Sequence, residues 1–184
     1  AVLRKVAAEN PENLPNPIHN LPFWLRKRLI ADWGQKRMEQ IAAMLLEVPP
    51  TDLRIMKGKE NPAGDAHIID EQLVRLTDAS IDVRDLKGFD EGGFMVQNFA
   101  AGLPVDLGLS LHAGAKTAID LCAAPGGKTI QLLDQGLEVT AVDYNTRRLT
   151  KLEQNLSRLG LEARTIRADV LELQQGDDES YDIV

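Results

Sequence analysis

The stretch Ile119-Asp-Leu-Cys-Ala-Ala-Pro-Gly-Gly-Lys-Thr129 decides how this chain of 184 residues is read. A β-prone run, Thr117 to Cys122, leads into it, and a helix predicted from Gly126 to about Gln135, closed by Gly136, leads out. Small residues at 123, 124, 126 and 127 let a ligand come close to the backbone, and Pro125 stiffens the turn. In open α/β sheets ligands bind beyond the carboxyl ends of the strands, and this turn stands at such an end.

Downstream, Glu138 to Asp143 predicts a second strand. Asn145 to Leu159 predicts a helix closed by Gly160, with Leu149, Leu152, Leu156 and Leu159 on one face. Ala163 to Asp169 predicts a third strand and Tyr181 to Val184 the start of a fourth. That order, βαβαβ and a further strand, is the pattern of a doubly wound parallel sheet, an α/β fold of Rossmann-like type. Upstream, Asn98 can cap a helix running through Ala100, Ala101 and Leu103 to Leu109, whose geometry Pro104 leaves open.

Further back the pattern changes. Asp52 to Met56, Gln72 to Leu76, Ile81 to Val83 and Phe94 to Gln97 predict short strands, separated by a loop at Gly58 to Gly64 and a turn at Gly88 to Gly93. Two helices precede them, one from Pro22 to Gly34 and one from Lys36 to about Glu47, ended by Pro49-Pro50. Three prolines between Asn10 and Pro17 predict an extended linker. The expected organisation is a helical tail and linker over 1–45, a small α+β subdomain over 46–97, and an incomplete Rossmann-like domain over 98–184 that ends in its fourth strand. The lack of an initiator Met agrees with a portion of a longer protein.

Apolar residues at 43% and charged ones at 27% predict a chain that buries a core. No apolar run approaches the roughly 18 residues that span a bilayer, and no secretory signal precedes the first helix. A single cysteine and three scattered histidines predict neither a disulfide nor a metal site. The net charge is −7, yet residues 1–60 carry ten basic against seven acidic side chains. The run Arg26-Lys27-Arg28 with Lys36-Arg37 reads as a solvated helix face or as a phosphate-contacting patch.

Three ligand classes compete for the glycine turn. A phosphate-cradling P-loop ends as Gly127-Lys128-Thr129 does, but its first glycine should fall at 122, where Cys122 stands. The G-x-G-x-x-G dinucleotide spacing is absent. A nucleoside without phosphates, such as S-adenosylmethionine, remains. Asp143 ends the second strand, where a carboxylate can accept from ribose hydroxyls and repel a 2′-phosphate. Asp169 ends the third, within reach of an adenine amine. Either aspartate alone could be a simple strand-end or capping residue; the two together behind a glycine turn point to binding.

Asp120-Leu-Cys-Ala-Ala-Pro-Gly-Gly-Lys-Thr129 resembles the first motif of the Nol1/Nop2/Sun family of RNA 5-methylcytosine methyltransferases, and especially its bacterial small-subunit ribosomal RNA members. Gly88-Phe-Asp-Glu-Gly-Gly-Phe-Met-Val-Gln97, Ala141 to Leu149 and Asn155 to Gly160 follow in the family order. The resemblance implies an S-adenosylmethionine-dependent enzyme of the cytoplasm with ribosomal RNA as partner. It implies that the backbone of Cys122, Ala123, Ala124, Pro125, Gly126, Gly127 and Lys128 wraps the methionine end, that Asp143 holds the ribose, and that Asp169 lies by the adenine. It implies an RNA-binding helical domain ending near residue 45 and an RNA-recognition-like fold for 46–97, in which the polar Lys57 to Gly64 replaces a helix, while Asn98 stands where the family has Asp.

The family's attacking and product-releasing cysteines lie in motifs beyond the fourth strand. No catalytic residue is therefore expected within residues 1–184, and Cys122 is read as a small loop residue. A chain carrying only the cofactor half-site is expected to be inactive alone. Two rivals stay open: a methyltransferase with another substrate, and a non-catalytic RNA-binding module.

Overall fold

The computed structural model describes residues 16–64, 66–78, 80–173 and 180–184. Most of the expected linker, Asn10 to Pro15, lies outside them. The chain divides into two compact units, Ala1–Pro49 and Pro50–Val184. The first boundary thus falls a few residues later than expected, and the stretches 46–97 and 98–184 contribute two sheets to one compact unit.

In the first unit a 3-10 helix, Pro17–Asn20, precedes α1 (Phe23–Trp33) and α2 (Gln35–Met44). Gly34 joins the two helices at φ 80°, a conformation that glycine adopts without strain. Leu21, Met38 and Ala42 form the core, with Ile18, Leu25 and Leu29 against it. Helical spacing thus buries Met38 and Ala42 but leaves Leu45 and Leu46, past the helix end, exposed. In the basic run, Lys27 and Arg28 are exposed, and Arg28 pairs with Asp32 one turn on at 2.6 Å.

The second unit opens with an antiparallel sheet of β1 (Asp52–Ile55), β2 (His67–Ile68), β3 (Leu73–Arg75) and β4 (Phe94–Val96), in the order β2-β3-β1-β4. β1 is central and buried on both faces. Alternation sends Leu53 and Ile55 into a core with Val74, Leu76 and Phe94. Asp52 and Arg54 take the opposite face, where burial demands partners. Asp52 accepts two hydrogen bonds from Arg75, at 2.7 and 3.0 Å, and one from the Phe99 N–H at 2.9 Å.

Those bonds set an acid limit on stability. The Arg75 guanidinium, helped by the Phe99 N–H and opposed by burial, holds the Asp52 carboxyl below the usual carboxylate range. A carboxyl depressed on folding contributes stability in full above its unfolded value of about 4, and loses it as pH falls through the folded value. Urea unfolding is therefore expected to weaken below about pH 4. In Asp52→Asn that acid limb should flatten, although the variant is less stable at neutral pH. Equal acid slopes in the two proteins would show that Asp52 does not titrate in this way.

The stretch Ile81 to Val83, expected as a strand, is not one. Asp82 instead accepts from the Arg84 N–H and caps a 3-10 helix, Val83–Asp85. A short carboxylate offers the backbone a local partner that competes with a sheet ladder.

α3 (Phe99–Leu111) follows, capped by Asn98 and continuous through Pro104. Then come β5 (Thr117–Asp120), α4 (Gly127–Asp134), β6 (Glu138–Asp143), α5 (Thr146–Leu159) and β7 (Arg164–Arg167). The strands are parallel in the order β5-β6-β7. Ile183 adds a parallel bridge to Ala118 on the free side of β5. In chain order this is 3-2-1-4, so the winding reverses direction at β5, the point where such sheets open a ligand crevice. The fourth strand is present as that single bridge. The leucine stripe of α5, Leu149, Leu152 and Leu156, packs with Ala123, Ala124, Ile130 and Ala141. The core of the sheet thus reaches into the glycine turn itself. Among the described residues no helix is long and apolar enough to cross a membrane.

Candidate cofactor site at the carboxyl end of β5

The turn from Leu121 to Gly126 is held from three sides by hydrogen bonds. Asp120, the last residue of β5, accepts from the Cys122 N–H at 3.3 Å and from the Thr129 hydroxyl at 2.7 Å, bracing both ends of the turn. On the β6 side the Ala123 N–H donates to Val142 O at 3.0 Å and the Ala124 N–H to Asp143 Oδ2 at 3.3 Å. From α5, Arg148 donates to Ala124 O and Asn155 to Pro125 O at 2.9 Å. The Ala124–Pro125 peptide is cis.

Gly126 ends the turn at φ 116° and ψ 3°. A Cβ there would stand 2.7 Å from Leu152 Cδ1 and 2.9 Å from Ile130 Cδ1. Glycine is needed twice over, for the backbone angle and for the space. No side chain caps the start of α4. Its first N–H groups and the positive end of its dipole are therefore available to an anionic group.

Beside the turn lies a cavity of about 490 Å³. Asp120, Cys122, Ala123, Ala124, Pro125, Gly127 and Lys128 form one wall; Met95, Val96, Gln97, Asn98 and Ala101 form another. Phe89 and Arg158 close it on a third side. Arg158 donates to Phe89 O and, at 3.1 Å, to Phe94 O, and lies 4.2 Å from the Phe89 ring centroid. It thereby fastens the Gly88 to Gly93 turn to the end of α5. Gly92 permits the approach, since a Cβ there would stand 2.6 Å from Arg158 O. Burial lowers the Arg158 pKa.

Of the expected site residues, six of the seven turn positions line this cavity; Gly126 sits behind it, buried against Leu152 and Ile130. Asp143 and Asp169 do not line it. Both stand on the same edge of the sheet as the turn, because Asp143 pairs in register with Arg167 and Asp120 with Ala141. Asp143 is 2% exposed. Its carboxylate accepts from the Ala124 and Asn145 N–H groups and lies 3.4 Å from Arg148. Asp169 is exposed and accepts from the Leu171 N–H at 2.9 Å, capping a 3-10 helix, Val170–Glu172.

Sequence reasoning passed over Gln97, Arg148, Asn155 and the bracing role of Asp120. Arg148 and Asn155 are seven apart on one helix, a spacing that puts them on one face. That signal was readable once the turn was taken as the site. Gln97 had only its place at the end of the Gly88 to Gln97 segment, because its partners lie 30 to 43 residues away.

Residues 109–184 match the family described as 16S rRNA methyltransferase RsmB/F. The chain is 37% identical over 175 residues to the ribosomal RNA small subunit methyltransferase B of Pseudomonas syringae pathovar tomato, covering 84% of this chain and 37% of the relative. It is 36% identical to the protein of the same name from Pseudomonas putida, covering 92% and 43%. The chain thus spans about two fifths of the length of these curated relatives. Among solved structures, PH0851 superposes with a TM-score of 0.69 at 21% identity, covering 88% of this chain and 41% of that one. A methyltransferase homologue from Pyrococcus horikoshii does so with 0.56 at 23%, covering 81% and 57%. These two likenesses concern the fold alone. Residues 109–184 thus match the RsmB/F methyltransferase family over the parallel sheet, and the likeness to these relatives extends over most of the rest of the chain.

Proposed function

We propose that residues 50–184 form the S-adenosylmethionine-binding part of an enzyme that methylates carbon 5 of cytosine in small-subunit ribosomal RNA in the cytoplasm. The observation that carries this is the uncapped glycine turn opening on a cavity at the point where the sheet reverses its winding. The residues fit the group. A carboxylate suits the free N–H groups at the start of α4, where Gly127, half-buried and without a side chain, leaves the backbone accessible. A carboxylate has about four acceptor sites. Asp143 commits them to the Ala124 N–H, the Asn145 N–H and Arg148, which leaves one for a ribose hydroxyl. The half-exposed Arg148 side chain is the group that must yield to admit it. Asp169 takes the adenine side.

When bound, the cofactor supplies an electrophilic methyl group on a sulfonium. The chain's own residues orient it: Asp120 and Thr129 keep the turn open, Asn155 holds the Pro125 carbonyl, and Gln97 anchors the first residue of α4. Cys122 serves as a small, exposed turn residue, and we assign no residue of 1–184 to covalent attack on the base.

Calorimetric titration of S-adenosylmethionine into the chain is the first test, and saturable heat is the expected result. No heat and no thermal shift at millimolar cofactor would overturn the reading in favour of a non-catalytic module. Mass spectrometry of ribosomal RNA treated with the full-length protein then checks the target. Methyl on a base other than cytosine would leave the cofactor site standing and remove the substrate.

A further inference from the structure

Four side chains from four elements close a ring of hydrogen bonds behind the glycine turn. Arg54 of β1 donates through Nε to Gln97 Oε1, just past β4. Gln97 Nε2 donates to Gln131 Oε1 of α4 at 2.8 Å. Gln131 Nε2 donates to Asp106 Oδ1 of α3 at 2.7 Å, and Asp106 Oδ2 accepts from Arg54 Nη2 at 3.5 Å. Both amides spend their second N–H on a backbone carbonyl: Gln131 on Gly102 O at 3.2 Å, Gln97 on Gly127 O at 3.0 Å.

The polarity of the ring is dictated by its members. Arg54 can only donate, while Asp106 and the two carbonyls can only accept. Each glutamine therefore has one usable orientation, with every polar atom of its amide engaged. Arg54 and Gln97 are 4% exposed and Gln131 1%, so a broken link among these three cannot be replaced cheaply by water; Asp106, 47% exposed at its side chain, closes the ring from the solvent side. Gly102 keeps the space free, since a Cβ there would stand 2.7 Å from Arg54 Nη2.

One bond of this system reaches the proposed cofactor site. Gly127 is the first residue of α4 and lines the cavity. We propose that Gln97 is a positioning residue: it ties the start of α4 to the antiparallel sheet through Arg54, and so sets the aim of the first N–H groups of α4 at the cofactor. This rests on the cofactor reading above for its consequence, though not for its geometry. The antiparallel sheet then does more than flank the cofactor domain; its β1 and β4 act as the rigid back of the turn.

The test compares three variants by hydrogen exchange of the amides of 122–128 and by cofactor titration. Gln97→Met keeps the length of the side chain and removes every polar link. Gln97→Glu keeps the acceptor for Arg54, and so the sheet, but sets an oxygen against Gly127 O. Arg75→Met is the structural control: it removes the ion pair of Asp52 and touches neither the ring nor the turn. In both Gln97 variants, exchange in the turn should quicken roughly tenfold and the cofactor Kd rise by a similar factor, from the loss of a buried hydrogen bond. Exchange in β3 should stay as in the unaltered chain. Arg75→Met should lower the melting temperature and leave exchange in the turn unchanged. If both Gln97 variants exchange at the turn no faster than Arg75→Met, the positioning role is overturned, whatever the melting temperatures. If the unaltered chain binds no cofactor, the functional reading falls, and the exchange measurements alone decide the role of Gln97.

Discussion

Gly126→Ala is expected to lower stability by about 2–4 kcal/mol and to abolish binding of S-adenosylmethionine. At φ 116° the backbone is in a region where a side chain costs roughly 1–3 kcal/mol. The added methyl meets Leu152 and Ile130, both in the core, and overpacking of this kind costs about 1–3 kcal/mol more. Rotation of the two side-chain ends recovers part of that. What remains pushes on the turn itself, whose Ala123 and Ala124 belong to the same core. Calorimetric melting and cofactor titration check both parts. Gly114→Ala is the control, since no atom lies within 4 Å of a Cβ there and its φ is ordinary. If the two alanine variants behaved alike, the turn would not be the rigid element described here.

Asp143→Ala should be nearly as severe, by about 2–3 kcal/mol. It leaves the buried Ala124 N–H and the Asn145 N–H without acceptors, at roughly 1–3 kcal/mol for an unsatisfied buried group. The Arg148 pairing adds little, because that side chain is 46% exposed and solvent screens it. Binding and stability should therefore be lost together. Asp169→Ala separates the two effects. Asp169 is exposed and caps only a three-residue 3-10 helix, so its removal should change stability by less than about 1 kcal/mol. By the proposed adenine contact it should still weaken cofactor binding roughly tenfold, about the worth of one hydrogen bond to a charged group. Unchanged affinity in Asp169→Ala would strike that residue from the site.

The contrast between these aspartates shows where sequence reading reaches its limit. Asp143 ends β6 and Asp169 follows β7 by two residues, and the pairing of Asp143 with Arg167 puts both at one end of the parallel sheet. Nothing in the sequence says that one is buried beneath an arginine and bonded to the turn while the other lies in solvent. Strand ends are local; burial is the sum of what other elements bring. The same limit explains Ile81 to Val83, where two β-branched residues suggest a strand but the Asp82 carboxylate captures its own backbone. It explains β2, two exposed residues that leave no pattern to read. The boundary expected between residues 97 and 98 fails to divide the unit for a related reason. Gln97 and Asn98 mark a change of local pattern, but the ring through Arg54, Gln131 and Asp106 binds the two sheets across it.

By itself the sequence determined the order βαβαβ, the turn from Asp120 to Thr129, the helix cap Asn98, and the leucine stripe of α5, all from features within a few residues of one another. Only the tertiary structure decided that Asp143 faces the turn, that Arg148 and Asn155 hold it, and that Gln97 fastens it to a sheet formed by an earlier stretch of chain. Periodicity and turn chemistry are written in neighbouring residues. A buried polar group is satisfied by whatever partner folding brings within 3 Å, and that partner can stand anywhere along the chain.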